Sequence, residues 1–256
     1  MRRTWKQLQA LRTPRGRDEF RFALLWRVGR WLYPEYRFEW PHLDWWHDDN
    51  FNRYLDRFGE RDGFNTGRRW VVYELTRLAA RVPGDTAECG VFKGAGSYLI
   101  GKALRGTTDR PRTHFVFDSF EGLSAPSTVD GSVWRQADLA FGIDGVRQAL
   151  ASVPEVRLCR GWIPAPFAEA EGSRFAFVHI DVDLHDPTKD SMAFFYPRMN
   201  TGGIIVCDDY GFTTCPGATR AVDEYLADKP ERMIALPAGG GFLIKGCATG
   251  EARPLA

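Results

Sequence analysis

The sequence predicts an α/β fold: a doubly wound, seven-stranded, mostly parallel sheet with a C-terminal antiparallel hairpin and an N-terminal helical extension. Three observations predict it. Five short apolar, β-rich runs, at residues 86–89, 114–117, 156–159, 175–180 and 203–207, alternate with helical or turn segments. Runs such as Phe175-Ala176-Phe177-Val178 are apolar throughout, as strands covered on both faces require. Near the end, runs at 233–236 and 242–245 flank Pro237-Ala238-Gly239-Gly240-Gly241, which reads as a hairpin.

Ahead of the first strand, Trp70, Tyr73, Leu75, Leu78 and Ala79 space as one helical face, and the helix stops near Pro83-Gly84. The first run leads into Gly90-Val91-Phe92-Lys93-Gly94-Ala95-Gly96-Ser97, a glycine loop opening a helix, with Ser97 placed to cap it. The spacing is not G-x-G-x-x-G, so the loop alone reads equally as a plain strand-to-helix turn.

The 256 residues suit one large domain with an extension, and we divide them at 1–61 and 62–256. With 34 basic and 33 acidic residues the net charge is +1, so no global field steers the chain to nucleic acid. A hydrophobic content of 44% excludes a disordered chain. The start lacks the continuous apolar stretch of a signal peptide, and no run is long enough to span a bilayer. The five cysteines form no C-x-x-C pair, and three of them sit inside apolar runs and so read as buried hydrophobes of a reducing compartment; a cytoplasmic location is expected.

The extension has its own composition. Residues 1–40 hold ten Lys/Arg against four acids, and six of the nine tryptophans (Trp5, Trp26, Trp31, Trp40, Trp45, Trp46) precede residue 47. Residues 20–33 read as a short amphipathic helix. A basic aromatic helix fits a membrane surface or nucleic acid. The acids at Glu35, Glu39, Asp44, Asp48 and Asp49 would repel anionic surfaces, which favours an arm that packs on the main domain or joins two subunits.

In open parallel sheets ligands bind at the carboxyl ends of the strands. The second run ends in Asp118-Ser119, and an acid there suits ribose hydroxyls or, equally, a solvated turn. The fourth ends in Asp181-Val182-Asp183 and the fifth in Asp208-Asp209. Four carboxylates at two strand ends repel unless a cation or protons intervene. Asp181 and Asp183 point to one side of an extended strand whereas Asp208 and Asp209 diverge, so the four converge only where the chain turns. An all-oxygen set favours a hard cation, Mg²⁺ foremost, and with no His or Cys at ligand spacing zinc is not expected. His179, inside an apolar strand, reads as a core histidine.

Glu88-Cys89-Gly90-Val91-Phe92-Lys93-Gly94, Phe117-Asp118-Ser119-Phe120-Glu121-Gly122-Leu123, His179-Ile180-Asp181-Val182-Asp183-Leu184, Gly202-Gly203-Ile204-Ile205-Val206-Cys207-Asp208-Asp209-Tyr210 and Ala221-Val222-Asp223-Glu224-Tyr225 together resemble the TylF-type macrocin O-methyltransferase family. The likeness runs from about residue 62 to 246. It implies a class I, Rossmann-like methyltransferase fold that uses S-adenosylmethionine and Mg²⁺ on sugar hydroxyls of natural products. Position by position, it implies Asp181, Asp208 and Asp209 as metal ligands and Asp183 as general base. Cofactor contacts are implied at Glu88, Gly90, Ser97, Asp118, Ser119, Gly161, Trp162 and Asp181. The sequence departs from the family at Val182, where Gly is frequent, and at His185, where Tyr is frequent.

The expected partner is a small glycosylated acceptor, held by segments outside the sheet: residues 123–142 with Trp134 and Phe141, and the arm around residues 40–46. Stacked aromatic faces suit sugar rings, though core or subunit packing explains them equally. A homo-oligomer through the arm is expected. Competing readings are a catechol-type O-methyltransferase, a D-x-D glycosyltransferase, which gives no role to Asp208-Asp209, and a membrane-surface or assembly protein using the basic arm.

Overall fold

A computed structural model of the chain describes residues 13–32, 42–61, 64–104, 111–153 and 155–250. The chain divides into two units, Met1–Arg61 and Asp62–Ala256.

In the first unit, helix α1 (Pro14–Leu32) begins earlier than the sequence periodicity suggests. Thr13 caps it, its hydroxyl accepting from Gly16 N–H at 3.0 Å, and Pro14 occupies the first turn, where a missing N–H costs nothing. Phe20, Leu24, Leu25, Trp26, Val28, Trp31 and Leu32 are exposed along it. Asp48 caps α2 (Asp49–Phe58) through Phe51 N–H at 2.7 Å, and Gly59, in the left-handed region, ends it. Trp5 and Trp40, along with the other arm residues at 1–12 and 33–41, lie outside the described residues.

The second unit is the expected sheet with flanking helices. Helix α3 (Thr66–Leu78) leads into β1 (Asp85–Cys89), α4 (Ala95–Ala103), β2 (His114–Asp118), α5 (Ile143–Ala149) and β3 (Val156–Arg160). Then follow β4 (Phe175–Ile180), α6 (His185–Phe195), β5 (Met199–Cys207), α7 (Pro216–Leu226), β6 (Ile234–Ala235) and β7 (Gly241–Ile244). The strand order is β3-β2-β1-β4-β5-β7-β6, with β1 to β5 parallel and β7 antiparallel to β5 and β6. The chain winds outward from β1 through β2 to β3, then returns to place β4 on the other side of β1. That reversal opens a crevice at the carboxyl ends of β1 and β4.

Alternation along β2 separates two cores: Phe115 and Phe117 point to one face, Val116 to the other. On the first face Phe195 is an aromatic hub, its ring 4.9 Å from Phe175, 5.1 Å from Phe167 and 5.9 Å from Phe117. Every residue of β4 is buried, matching its unbroken apolar run. Cys89, Cys159, Cys207 and Cys215 are buried free thiols, whereas Cys247 is exposed. No described helix is long and apolar enough to cross a membrane.

Two expectations need correction. Strand β5 starts at Met199 rather than 203. Helix α3 buries Arg68, Arg69, Val72, Leu75 and Thr76, while Leu78 is 62% exposed. The buried stripe is turned from the apolar one because two arginines are drawn under the sheet's acidic edge.

Candidate active site

The site is built along the carboxyl edge of the sheet, where three non-glycine residues take left-handed backbone: Phe92 (φ 44°), Phe120 (φ 59°) and Asp183 (φ 60°). Such backbone is strained for ordinary side chains and persists where its surroundings over-determine it. Gly90 (φ 78°) is obligatory: a Cβ there would lie 1.9 Å from the Asp181 carbonyl oxygen. The loop leaving β1 is thereby seated directly against the end of β4.

Glu88 is buried, with one carboxylate oxygen taking the Ser97 hydroxyl and the other 2.8 Å from His179 Nδ1. A side chain at Gly96 would strike that carboxylate. Ser97 lies inside α4, whose N-cap is Gly94; its hydroxyl serves Glu88 and His114 (2.9 Å to Nε2) and does not cap the helix. Glu88 and Ser97 therefore stiffen the loop from below.

Asp118 ties two loops together, accepting from Val91 N–H at 2.7 Å and Phe120 N–H at 2.6 Å. Burial still pushes its carboxyl above the usual range despite those bonds. Ser119 closes the next turn, donating to the Gly122 carbonyl at 2.9 Å. After β3, Gly161 N–H reaches the Asp118 carbonyl at 2.9 Å, and Trp162 stands 44% exposed beside it. An exposed indole on the loop after β3 is an open platform for a flat ring.

The chain turns after β4 and after β5 and gathers the four aspartates as two pairs, not as one set. Each pair belongs to a group whose potential ligand atoms lie within 4.8 Å of one another: His179, Asp181 and Asp208 in one, and Asp183, Asp209 and Cys215 in the other. Asp181, Asp208 and Asp209 thus straddle both groups. His179 and Cys215 correct the expectation that no His or Cys lies at ligand spacing; folding supplies a proximity that the linear sequence lacks. His179 is also more than a core histidine. It bridges Glu88 on β1 and Asp208 on β5, its Nε2 lying 3.5 Å from Asp208 Oδ1 without a formed hydrogen bond.

Electrostatics separate the four acids. Burial and the nearby Asp208 push Asp181 up to about 8. Burial pushes Asp183 up to about 6, against the Cys215 hydrogen bond that lowers it. Burial, Asp183 and Asp181 raise Asp209, although its Oδ2 accepts from Val182 N–H (3.1 Å) and Asp183 N–H (2.8 Å). Burial would raise Asp208 too, but Arg68, His179 and Arg69 hold it well below the carboxylate range. Against its own burial, His179 is lifted to about 10 by Asp208 and Glu88.

Arg68 and Arg69 are the residues that sequence reasoning missed. Arg68 contacts the Asp208 carboxylate directly, and Arg69 Nη1 lies 3.7 Å from both Asp181 and Asp208. The Arg68 guanidinium also sits 5.2 Å from the Phe64 ring and 5.0 Å from that of Phe212. A double arginine on an otherwise apolar helical stripe was the available signal. Asp130 was missed as well: buried, it accepts from His185 N–H and from Ser127 N–H, each at 2.7 Å. It clamps the loop after β2 onto the start of α6. His185 itself faces Asp186 at 2.7 Å and Glu224 at 3.5 Å.

The macrocin O-methyltransferase (TylF) family model matches residues 74–235, more than half of the chain. The chain belongs to that family. It is an O-methyltransferase, and the matched span contains every acid of the site but leaves out Arg68 and Arg69. Demethyldecarbamoylnovobiocin O-methyltransferase of Streptomyces niveus is 29% identical over 226 residues, 77% of this chain and 85% of that protein. The 8-demethyl-8-(2,3-dimethoxy-alpha-L-rhamnosyl)-tetracenomycin-C 4'-O-methyltransferase of Streptomyces olivaceus is 32% identical over 154 residues, 56% of this chain and 59% of that protein. Among solved structures, the O-methyltransferase NovP superposes with a TM-score of 0.60 at 27% identity, covering 71% of this chain and 80% of that one.

Proposed function

We propose that this O-methyltransferase transfers the methyl group of S-adenosylmethionine to a sugar hydroxyl of a glycosylated natural product, with Mg²⁺ at the acidic edge and Asp183 as general base. The observation that carries the reading is the charge balance at the ends of β4 and β5. At full ionisation five carboxylates (Glu88, Asp181, Asp183, Asp208, Asp209) face three cations (Arg68, Arg69, His179), an excess of two negative charges that, in the absence of an ion, protons on the raised Asp181 and Asp209 relieve. A divalent cation neutralises that excess, and oxygen donors from Asp181, Asp208 and Asp209 suit a hard ion. The sugar acceptor is supported by relatives whose names place the methyl on such groups, including the rhamnosyl-tetracenomycin 4'-O-methyltransferase.

When bound, the donor supplies a methyl on positive sulfur and the cation supplies charge that acidifies a hydroxyl. The chain does the rest. Gly90 lets the β1 loop lie against β4, Asp118 fixes that loop to the next, and the Trp162 indole offers a face to an adenine-like ring. Asp183, buried and shifted toward neutrality, receives the hydroxyl proton as the acceptor oxygen takes the methyl carbon from sulfur. Holding acceptor oxygen and methyl in line is the larger contribution of the fold.

The test uses S-adenosylmethionine, Mg²⁺ and a panel of demethyl glycosylated metabolites that includes demethyldecarbamoylnovobiocin. Asp183→Asn is expected to bind S-adenosylhomocysteine and Mg²⁺ normally in calorimetry while losing ~10²–10⁴-fold in turnover, the usual worth of a general base. Wild-type turnover in that variant rejects Asp183 as the base. Full activity in EDTA rejects the metal.

A further inference from the structure

Of the four aspartates, Asp183 is the one that, among the described residues, has a neutral side-chain donor on its carboxylate. Cys215, the residue before α7, places its thiol 3.7 Å from Asp183 Oδ1, and the same sulfur accepts from the Trp134 indole N–H at 3.3 Å. Burial and the neighbouring Asp209 keep this thiol protonated, so it donates. Asp183 and Cys215 are both buried, and Trp134 is half-buried over them.

We propose that Cys215 is a positioning residue for methyl transfer, its thiol anchored by the Trp134 indole and holding the Asp183 carboxylate in its proton-accepting orientation. The inference rests on Asp183 being the base. A carboxylate on left-handed backbone, with its own N–H committed to Asp209, is fixed at the main chain but not about its side-chain torsions. The adjacent Asp209 carboxylate would turn it away by like-charge repulsion. One donor on Oδ1 settles the orientation, and a thiol, being a weak donor, does so with little loss of basicity.

The other end of the bridge is anchored too. Trp134 belongs to the loop that Asp130 clamps to α6, and Gly217 in α7 admits that clamp, since a Cβ there would lie 2.1 Å from Asp130 Oδ1. The bridge therefore joins the base to the segment that the sequence marks for the acceptor. Ordering of that loop by an acceptor would be felt at the proton-accepting group.

The test uses the full chain with S-adenosylhomocysteine and Mg²⁺, and needs no acceptor for its first arm. The infrared S–H stretch of Cys215, isolated as the difference between wild type and Cys215→Ala, is expected to shift toward that of a free thiol in Asp183→Asn. It is also expected to shift in Trp134→Phe, which keeps the ring and removes the N–H. In the second arm, on whichever panel acceptor the wild type turns over fastest, Cys215→Ala should lower kcat by about tenfold, ~1.4 kcal/mol of barrier. Acceptor KM and S-adenosylhomocysteine affinity should stay within about twofold, which separates a positioning role from a packing defect. An S–H band unmoved by Asp183→Asn overturns the inference, and so does an unchanged kcat in Cys215→Ala. Wild-type turnover in Asp183→Asn, by contrast, overturns the base assignment and this inference with it, even where the band shifts.

Discussion

Arg68 is the most informative residue to remove. Its guanidinium contacts Asp208 with side-chain exposures of 9% and 3%, so solvent screening reduces the pair little. Arg68→Met keeps an unbranched stem between Phe64 and Phe212 and deletes only the charge. Breaking a buried pair from one side strands the other charge, at a cost of about 3–5 kcal/mol. Here Arg69 at 3.7 Å and His179 at 3.5 Å remain beside Asp208, so we expect the low end, ~3 kcal/mol. At about 2–4 °C per kcal/mol for a domain of this size, the metal-free variant should melt roughly 6–12 °C lower. The second expectation has the opposite sign. A divalent cation entering the wild-type edge competes with the Arg68 guanidinium for Asp208, and in Arg68→Met it does not. Mg²⁺ should therefore raise the melting temperature of the variant more than that of the wild type, because stabilisation by a ligand grows with its affinity for the folded state. Scanning calorimetry across a Mg²⁺ series reads both effects. An unchanged metal-free melting temperature refutes the buried-pair argument; an equal or smaller Mg²⁺ response refutes the competition.

Other outcomes follow from the packing and the titrations. Phe195→Ala should cost ~3–5 kcal/mol in urea unfolding, since removing a hub packed on the Phe117, Phe167 and Phe175 rings leaves a cavity that they cannot all fill. Burial depresses His114 to about 4 from 6.5, outweighing Glu88, which raises it. The unfolded chain thus takes up a proton that the fold refuses, and the His114 contribution is present above pH 6.5 and lost as pH falls toward 4. Some 2.5 pH units amount to ~3 kcal/mol, so the difference in stability between wild type and His114→Gln should narrow by about that much over the window. Gly90→Ala should abolish S-adenosylhomocysteine binding in calorimetry, because its Cβ collides with the end of β4.

The fold was legible because its strands are buried on both faces: continuous apolar runs need no partner to be recognised, and β1 to β4 fell on those runs while β5 contains its run and begins ahead of it. The acids at the strand ends were legible for a related reason, since in this architecture the edge of the sheet is where ligands go. Helix α3 was misread because apolar spacing assumes that the buried face is apolar, whereas Arg68 and Arg69 are buried by the charges they meet. His179 was misread because an apolar strand hides its one polar position until neighbouring strands are known. Register sets His179 opposite Glu88 on one side and Val206 on the other, two residues short of Asp208. Cys215 and Trp134 are 81 residues apart, and no local pattern announces a contact of that range.

These misreadings share a cause that bears on how the site exists at all. Four aspartates and a glutamate crowded at one edge would oppose folding by mutual repulsion and desolvation. Arg68, Arg69 and His179 answer part of that repulsion from beneath, from a helix and a strand that sequence patterns assign to the core. At full ionisation they leave two negative charges for protons or, on the proposed reading, a divalent ion to balance. Each cation removed leaves one more negative charge for a divalent ion to balance, and each one added leaves one fewer. His179→Gln, which removes one of the three cations and keeps a donor toward Glu88, tests this: it should tighten Mg²⁺ uptake in calorimetry. Unchanged or weaker uptake in a folded His179→Gln would show that charge balance does not govern this site.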